Sequence, residues 1–215
     1  MASYDDFLPY VLTDVPGCAE IVAIQAIRNT AIDFCEKSLV VEADLDPVSL
    51  VAGAADYDLE PPTATLVTKV IRLFYKNREL KPVARDDIAS ATFYNPAAPN
   101  AEQQSEPICW SQKDTTSFSV WPIPKSSEAG AITIRAALKP SRSSTACPDV
   151  LFEDYAEYIA AGAKARLMIT PNKSYTNPNL VVTNNQLYIQ GIGLARIRAA
   201  KGHTRANQRV KQVRI

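Results

Sequence analysis

One histidine, His203, is all the chain possesses, and it falls in a stretch near the C-terminus too polar to fold by itself. A Ser-His-Asp or Cys-His catalytic set needs an imidazole held firmly against its nucleophile, so that class of enzyme is disfavoured. Cys18, Cys35, Cys109 and Cys147 are far apart and form no CxxC pair. With a single histidine they make no zinc site, and they read as four reduced, mostly buried thiols. Seven glycines against 15 prolines mean many fixed bends but few backbone positions shaped for phosphate. Neither GxxxxGK[ST] nor GxGxxG occurs, and Gly191-Ile192-Gly193 lies inside a predicted helix, where close helix packing explains it. The tightest acid pairs, Asp86-Asp87 and Asp44 with Asp46, sit beside turns as solvated caps, not metal ligands. No catalytic residue, metal or cofactor is expected. No apolar run approaches the ~20 residues of a membrane span, and Met1 to Asp6 lacks the positive start of a signal peptide. A soluble product made in the cytoplasm is expected.

The most informative absence is of acid. From Tyr158 to Ile215 there is no Asp or Glu, while Lys164, Arg166, Lys173, Arg196, Arg198, Lys201, Arg205, Arg209, Lys211 and Arg214 fall there. The balanced total therefore hides an acidic body, near −10, joined to a C-terminal part near +10. Such a division implies partners of different sign. Beyond Gly202 only Val210, Val213 and Ile215 are large and apolar, so residues 203–215 form an arm. Fully extended, the chain from Gly202 onward spans about 45 Å, enough to leave its own subunit. Three explanations compete for it: a solvated tail, nucleic-acid binding by phosphate neutralisation, and docking on an acidic protein. Val210 to Ile215 has the β-branched content to add a strand to another chain's sheet edge.

Periodicity places one helix at the start, strands in the middle and two helices near the end. Ile24, Ile27, Ala31 and Phe34 or Cys35 recur at helical spacing, predicting a helix from Cys18 to about Ser38. Asp44 to Asp46 before Pro47 reads as a turn, and Val48 to Asp58 as a loop or short strand. Thr65 to Phe74 is β-branched; Leu80 to Val83 returns as its hairpin partner, with Pro82 favouring an edge. Arg85 to Ala91 could turn once as helix, and Asn95 to Pro107 reads as an exposed loop. Strands are predicted at Pro107 to Ser111, Ser117 to Trp121 and Ala131 to Lys139. Trp110 and Trp121 either close the sheet core with their indole NH groups bonded at its margin or serve as contact aromatics at a subunit interface. A helix begins near Asp149, which can cap it, and stops at Thr170-Pro171; another runs from about Asn179 to Ala200, ended by Lys201-Gly202. The fold class is α+β: a helical bundle of the N-terminal and two C-terminal helices, with an inserted antiparallel β-sheet and an extended C-terminal arm. The divisions are 1–60 for the N-terminal segment and helix, 61–147 for the β domain, 148–201 for the C-terminal helices and 202–215 for the arm.

Several segments carry a resemblance. Leu8-Pro9-Tyr10-Val11, Val15-Pro16-Gly17-Cys18, the first helix from Ala26 to Ser38, and Tyr57-Asp58-Leu59 before a Val-rich strand resemble head-to-tail adaptor (connector) proteins of tailed bacteriophages. The loop Pro171-Asn172-Lys173-Ser174-Tyr175-Thr176-Asn177-Pro178 and the helix ending Ala195 to Gly202 are similar to the same group. The resemblance implies a structural virion protein and no enzyme. It implies a homo-oligomeric ring, commonly of 12 copies, between the portal protein and a tail or nozzle protein, with double-stranded DNA passing without sequence recognition and no membrane. Helices would build the ring, the β part would face the tail, and the C-terminal extension would enter the portal. The expected portal-binding residues are Arg198, Lys201, Arg205, Arg209, Val210, Lys211, Val213, Arg214 and Ile215. A tail-completion protein, or a DNA-binding accessory protein using the same cations, is the alternative.

Overall fold

The computed structural model describes residues 1–84 and 104–202. They fall into two compact units: the first takes Met1–Val41 and the chain from Pro140 on, the second Glu42–Lys139. The described residues are mixed α and β. In chain order the elements are β1 (Ala2–Ser3), a 3-10 helix (Tyr4–Phe7), α1 (Leu8–Leu12), α2 (Glu20–Ser38), β2 (Glu42–Leu50), β3 (Asp56–Asp58), β4 (Thr65–Tyr75), β5 (Arg78–Glu79), β6 (Lys81–Pro82), β7 (Gln104–Ser105), β8 (Cys109–Gln112), β9 (Ser117–Trp121), β10 (Ile123–Pro124), β11 (Glu128–Pro140), β12 (Ala146–Cys147), α3 (Asp149–Met168) and α4 (Pro178–Lys201).

In the first unit α2, α3 and α4 pack on one another around a core of aromatic and aliphatic side chains. Phe34 is fully buried, its ring 5.2 Å from that of Tyr155 on α3 and 6.1 Å from that of Tyr188 on α4. Burying such a side chain contributes about 1.5–3 kcal/mol, so this triangle of aromatics is a principal tie between the helices. The opening segment folds against α3 because Phe7, also fully buried, meets Phe152 edge-on at 5.1 Å. The strand pair β1 and β12 closes the same side, Ala2 opposite Cys147 and Ser3 opposite Ala146.

Two predicted glycine roles resolve differently. A Cβ on Gly191 would stand 2.4 Å from Tyr158 Cγ, so its absence lets α4 lie close on α3; a Cβ on Gly193 would meet nothing within 4 Å. Gly162 on α3 adds a second close approach, with Thr30 Cγ2 at 2.6 Å and Tyr188 Cδ2 at 2.7 Å from its missing Cβ. Asp149 begins α3 as expected, but it does not cap: Pro148 occupies the cap, without a side-chain hydrogen bond, and Asp149 is already helical.

The second unit holds two four-stranded sheets in the orders β2-β11-β4-β5 and β3-β9-β8-β6. This corrects the expectation of one antiparallel sheet: a two-stranded pair, β7 beside β10, stands apart from both, and that pairing and the one of β6 beside β8 are parallel. The predicted hairpin also changes. Arg78 and Glu79 supply the return against Tyr75 and Phe74, while Lys81 and Pro82 join the other sheet beside Cys109 and Trp110. Pro82 does sit on an outermost strand, where a missing N–H costs no ladder bond. A further correction is at β2, where Asp44 to Asp46 reads as a turn but lies inside the strand; the short strand allowed between Val48 and Asp58 is found at its end and again in β3. Leu45 and Leu50 face the core, while the acids point outward and meet Arg135 on β11: Glu42 at 2.9 Å and Asp44 at 3.9 Å. An acidic, proline-bearing stretch becomes a strand because it pairs with β11 and buries Leu45 and Leu50, while Arg135 meets its outward acids.

Phe118, Leu73 and Ile132 are fully buried in this unit. Trp110 is buried too, and its indole Nε1–H donates to the Leu80 carbonyl at 3.2 Å, as expected for a tryptophan at a sheet margin. Trp121 is half-buried, opposite Cys109 on the neighbouring strand. The predicted helical turn from Arg85 to Ala91 and most of the loop from Asn95 to Pro107 lie outside the described residues.

Candidate functional site

Of the cations that the sequence gathers in its last third, Lys164, Arg166, Arg196 and Arg198 lie on α3 and α4. All four are anchored. Lys164 Nζ lies 2.6 Å from Asp14, which closes the opening segment onto α3. Arg166 lies 3.5 Å from Asp33 on α2, and Arg196 Nε donates to the Lys37 carbonyl at 2.6 Å. Arg198 pairs with Asp154 at 2.7 Å while its guanidinium sits 5.5 Å from the centre of the Tyr155 ring.

Asp33 is the hub of this arrangement. It receives Lys37 at 2.8 Å, one turn away on the same helix, and the Tyr188 hydroxyl at 2.7 Å from α4. Burial alone would raise its pKa, but the hydrogen bonds from Lys37 and Tyr188 and the charges of Lys37 and Arg166 outweigh it and hold the carboxyl below its ordinary value. Burial and the same Asp33 bond push the Tyr188 phenol far up, so it stays a neutral donor. Three helices are thus joined at one carboxylate. Nothing in the sequence pattern marked Asp33, because its partners are remote in the chain.

The end of α4 is the root of the expected arm. Asn177 caps the start of the helix by accepting from Leu180 N–H at 3.3 Å, and Pro178 follows at the first position, where no N–H is needed. At the far end Gly202 adopts φ 62° and ψ −155°, a conformation for glycine, and donates its N–H to the Arg198 carbonyl at 2.7 Å. An open cleft of about 450 Å³ adjoins it, lined by Asp154, Tyr158, Leu194, Ile197, Arg198 and Lys201. Of the expected portal-binding residues, the structure brings Arg198 and Lys201 to this cleft. Arg205, Arg209, Val210, Lys211, Val213, Arg214 and Ile215 lie outside the described residues.

Two segments distant in sequence meet on the first unit. Ser174 Oγ, in the loop between α3 and α4, donates to the Pro16 carbonyl at 3.0 Å. Gly17, at φ +82°, leaves room for that side chain, since a Cβ there would stand 2.8 Å from Ser174 Oγ. Thr176 Oγ1 ties the loop to itself by donating to the Thr170 carbonyl at 2.6 Å. The Val15-Pro16-Gly17-Cys18 and Pro171–Pro178 segments, both of which carry the resemblance, are therefore one structural feature.

A comparison with protein families decides the identity of that feature's owner: the family described as SU10 adaptor protein matches residues 2–211. The chain belongs to the SU10 adaptor protein family. This is a family of bacteriophage head-to-tail adaptors, the group that the paired segments resemble. No curated protein matches the chain significantly. Membership in the SU10 adaptor family points to a structural virion component that works by contacting other proteins.

All four cysteines are free thiols, three of them buried. Burial, with Asp149 nearby, pushes the Cys147 thiol up to about 12, which leaves it unreactive. Among the described residues no cluster of three or more His, Cys, Asp or Glu is placed to hold a metal, and no helix is long and apolar enough to cross a membrane. Asp44 and Asp46 lie on an exposed strand face; Asp86-Asp87 falls outside the described residues.

Proposed function

We propose that this chain is the head-to-tail adaptor of a tailed phage, forming a closed ring, of about 12 copies by the family resemblance, that joins the portal to the tail and continues the channel for double-stranded DNA. Membership in the adaptor family over residues 2–211 carries this reading. The helical unit, arranged as a bundle, builds the ring; the β unit meets the tail or nozzle protein. Residues 203–215, rooted at Arg198 and Lys201, reach the portal through Arg205, Arg209, Lys211 and Arg214 as charged contacts and Val210, Val213 and Ile215 as apolar ones. Each exposed ion pair is worth at most ~1 kcal/mol, so repetition around a ring supplies the affinity.

The anchoring of the helical cations supports docking by the arm over DNA binding by the helices. Lys164, Arg166 and Arg198 already have carboxylate partners and would have to break them to bind phosphate. The test is co-sedimentation with the purified portal of the full chain and of a chain ending at Gly202. The shortened chain is expected to keep its helical content and lose portal binding at least tenfold. Undiminished binding would overturn the assignment of the arm. Loss of duplex DNA affinity with a steep salt slope, in place of portal binding, would favour the accessory-protein alternative.

A further inference from the structure

Between Lys173 and Arg196 the chain carries no charged side chain, and that gap covers the first eighteen residues of α4. A helix side that faces water ordinarily carries charge. α4 buries only Tyr188, Gly191, Ile192 and Ala195, yet leaves Val182 at 59 % exposure, Ile189 at 58 %, Ile197 at 53 % and Leu194 at 47 %. At about 100° per residue these exposed positions fall on the side away from Tyr188 and Ala195, with Gln186 and Gln190 among them. The result is an apolar and amide-bearing strip about 22 Å long without a charge. Depletion of charge with retention of large apolar groups is the composition of an interface core.

We infer that a second copy of this chain seats on the outer face of α4, in a head-to-tail contact. The inference rests on the ring assembly proposed above and names the surface that makes it. Charge selects the occupant. Arg196 and Lys201 border the strip at its C-terminal end, while α3 exposes Glu153 and Glu157, one turn apart and without an ion pair among the described residues. Like charges at that spacing repel, and cations from outside would relieve them. The chain as a whole is neutral, with its acid excess before Tyr158 and its basic excess after. Copies are therefore complementary when the basic end of one meets the acidic α3 of the next, and closing the ring proposed above requires this contact to join two different surfaces. Contacts between two different surfaces of the same chain are the kind that close rings. A strip of about 22 Å by 10 Å also falls well short of the ~800 Å² per partner of a standard stable interface, so it holds copies firmly only when repeated around a closed assembly.

The test is Ile189→Glu, with Val51→Glu as a control at a comparably exposed apolar position in the second unit. Assembly is followed by sedimentation velocity of the chain alone and by electron microscopy of the chain bound to portal. Ile189→Glu is expected to keep wild-type circular dichroism and lose closed rings in both settings, while Val51→Glu assembles as wild type. In a head-to-tail contact the variant still offers its second surface, so an equal mixture with wild type should also fail to close rings. Wild-type assembly by Ile189→Glu, or equal loss in Val51→Glu, would overturn the assignment of this face and leave the ring standing. Survival of wild-type rings in the mixture would overturn the head-to-tail arrangement. Absence of any multimer of the wild-type chain, alone or on portal, would instead remove the ring assembly on which the inference rests.

Discussion

Replacing Gly191 by alanine tests the contact between α3 and α4 at its closest point. The new Cβ would lie 2.4 Å from Tyr158 Cγ and 2.5 Å from Tyr158 Cβ. The second of these atoms is fixed to the backbone of α3, so no rotation of the ring removes the clash and the helices must separate. Overpacking of this kind costs about 1–3 kcal/mol. It opposes a gain of about 1 kcal/mol for replacing glycine by alanine inside a helix. Gly193 lies two residues on in the same helix, where a Cβ meets nothing within 4 Å. There the gain stands alone. Gly193→Ala should therefore stabilise by about 1 kcal/mol and Gly191→Ala destabilise by up to about 2 kcal/mol, although the chemical change is identical. Gly162→Ala should fall between them, because its close neighbours, Thr30 Cγ2 and the Tyr188 ring, are side-chain atoms with some freedom to shift. All the long helices described belong to the first unit, so urea unfolding followed by far-ultraviolet circular dichroism reads that unit. Equal stabilities for the Gly191→Ala and Gly193→Ala proteins would refute the close packing of α4 on Tyr158.

Asp33→Asn should destabilise the helical unit by about 1–3 kcal/mol at neutral pH, by leaving Lys37 and Arg166 without their carboxylate. Because the folded pKa of Asp33 is depressed, its contribution is complete above the ordinary carboxylate value and is lost as pH falls through the lower folded one. The stability gap between wild type and Asp33→Asn should accordingly narrow below about pH 4; a constant gap in acid titration of the two proteins would show that Asp33 does not hold the three helices by charge. Salt separates the two proposed contacts of the adaptor: added sodium chloride should release rings from portal, since exposed charges are screened, before it separates copies held by the uncharged strip of α4. Electron microscopy across a salt series reads both events, and simultaneous loss would contradict the division.

The parts of the fold legible in the sequence were those whose stabilisation is local. Thr65 to Phe74 is rich in β-branched residues, and Thr65–Tyr75 is a strand; Ser117–Trp121 is a strand as predicted. α3 starts at Asp149, and α4 ends at Gly202, where a positive φ calls for glycine. What escaped was decided by partners remote in the chain. Asp44 to Asp46 reads as a turn until β11 is placed beside it, with Arg135 opposite Asp44. Likewise Lys81-Pro82 leaves its hairpin for a parallel place beside Cys109 and Trp110, a choice no periodicity records. At the candidate site the basic excess was visible from composition alone, but composition cannot say which cations are already spoken for. The charge-free run before Arg196 was equally visible, and its meaning depended on knowing that Val182, Ile189 and Ile197 face outward.

The pairing of cations within the helical unit changes what the charge division along the chain means. Lys164, Arg166 and Arg198 neutralise Asp14, Asp33 and Asp154, two of which come from the acidic N-terminal segment and first helix. A good part of the opposition between an acidic body and a basic end is therefore spent inside one subunit, where it ties the opening segment, α2 and α4 to α3. After Gly202 the sequence places Arg205, Arg209, Lys211 and Arg214, with no acid among them. One sign of charge on a short terminal segment and no charge on the long outer face of α4 are opposite solutions to two different contacts. The first favours rapid, orientable capture of an acidic partner; the second favours a permanent seat for an identical neighbour. On the proposed function, an adaptor that assembles with copies of itself and attaches to a different ring needs two surfaces that cannot be exchanged for one another, and the uncharged outer face of α4 and the basic segment after it would differ in the way that requires.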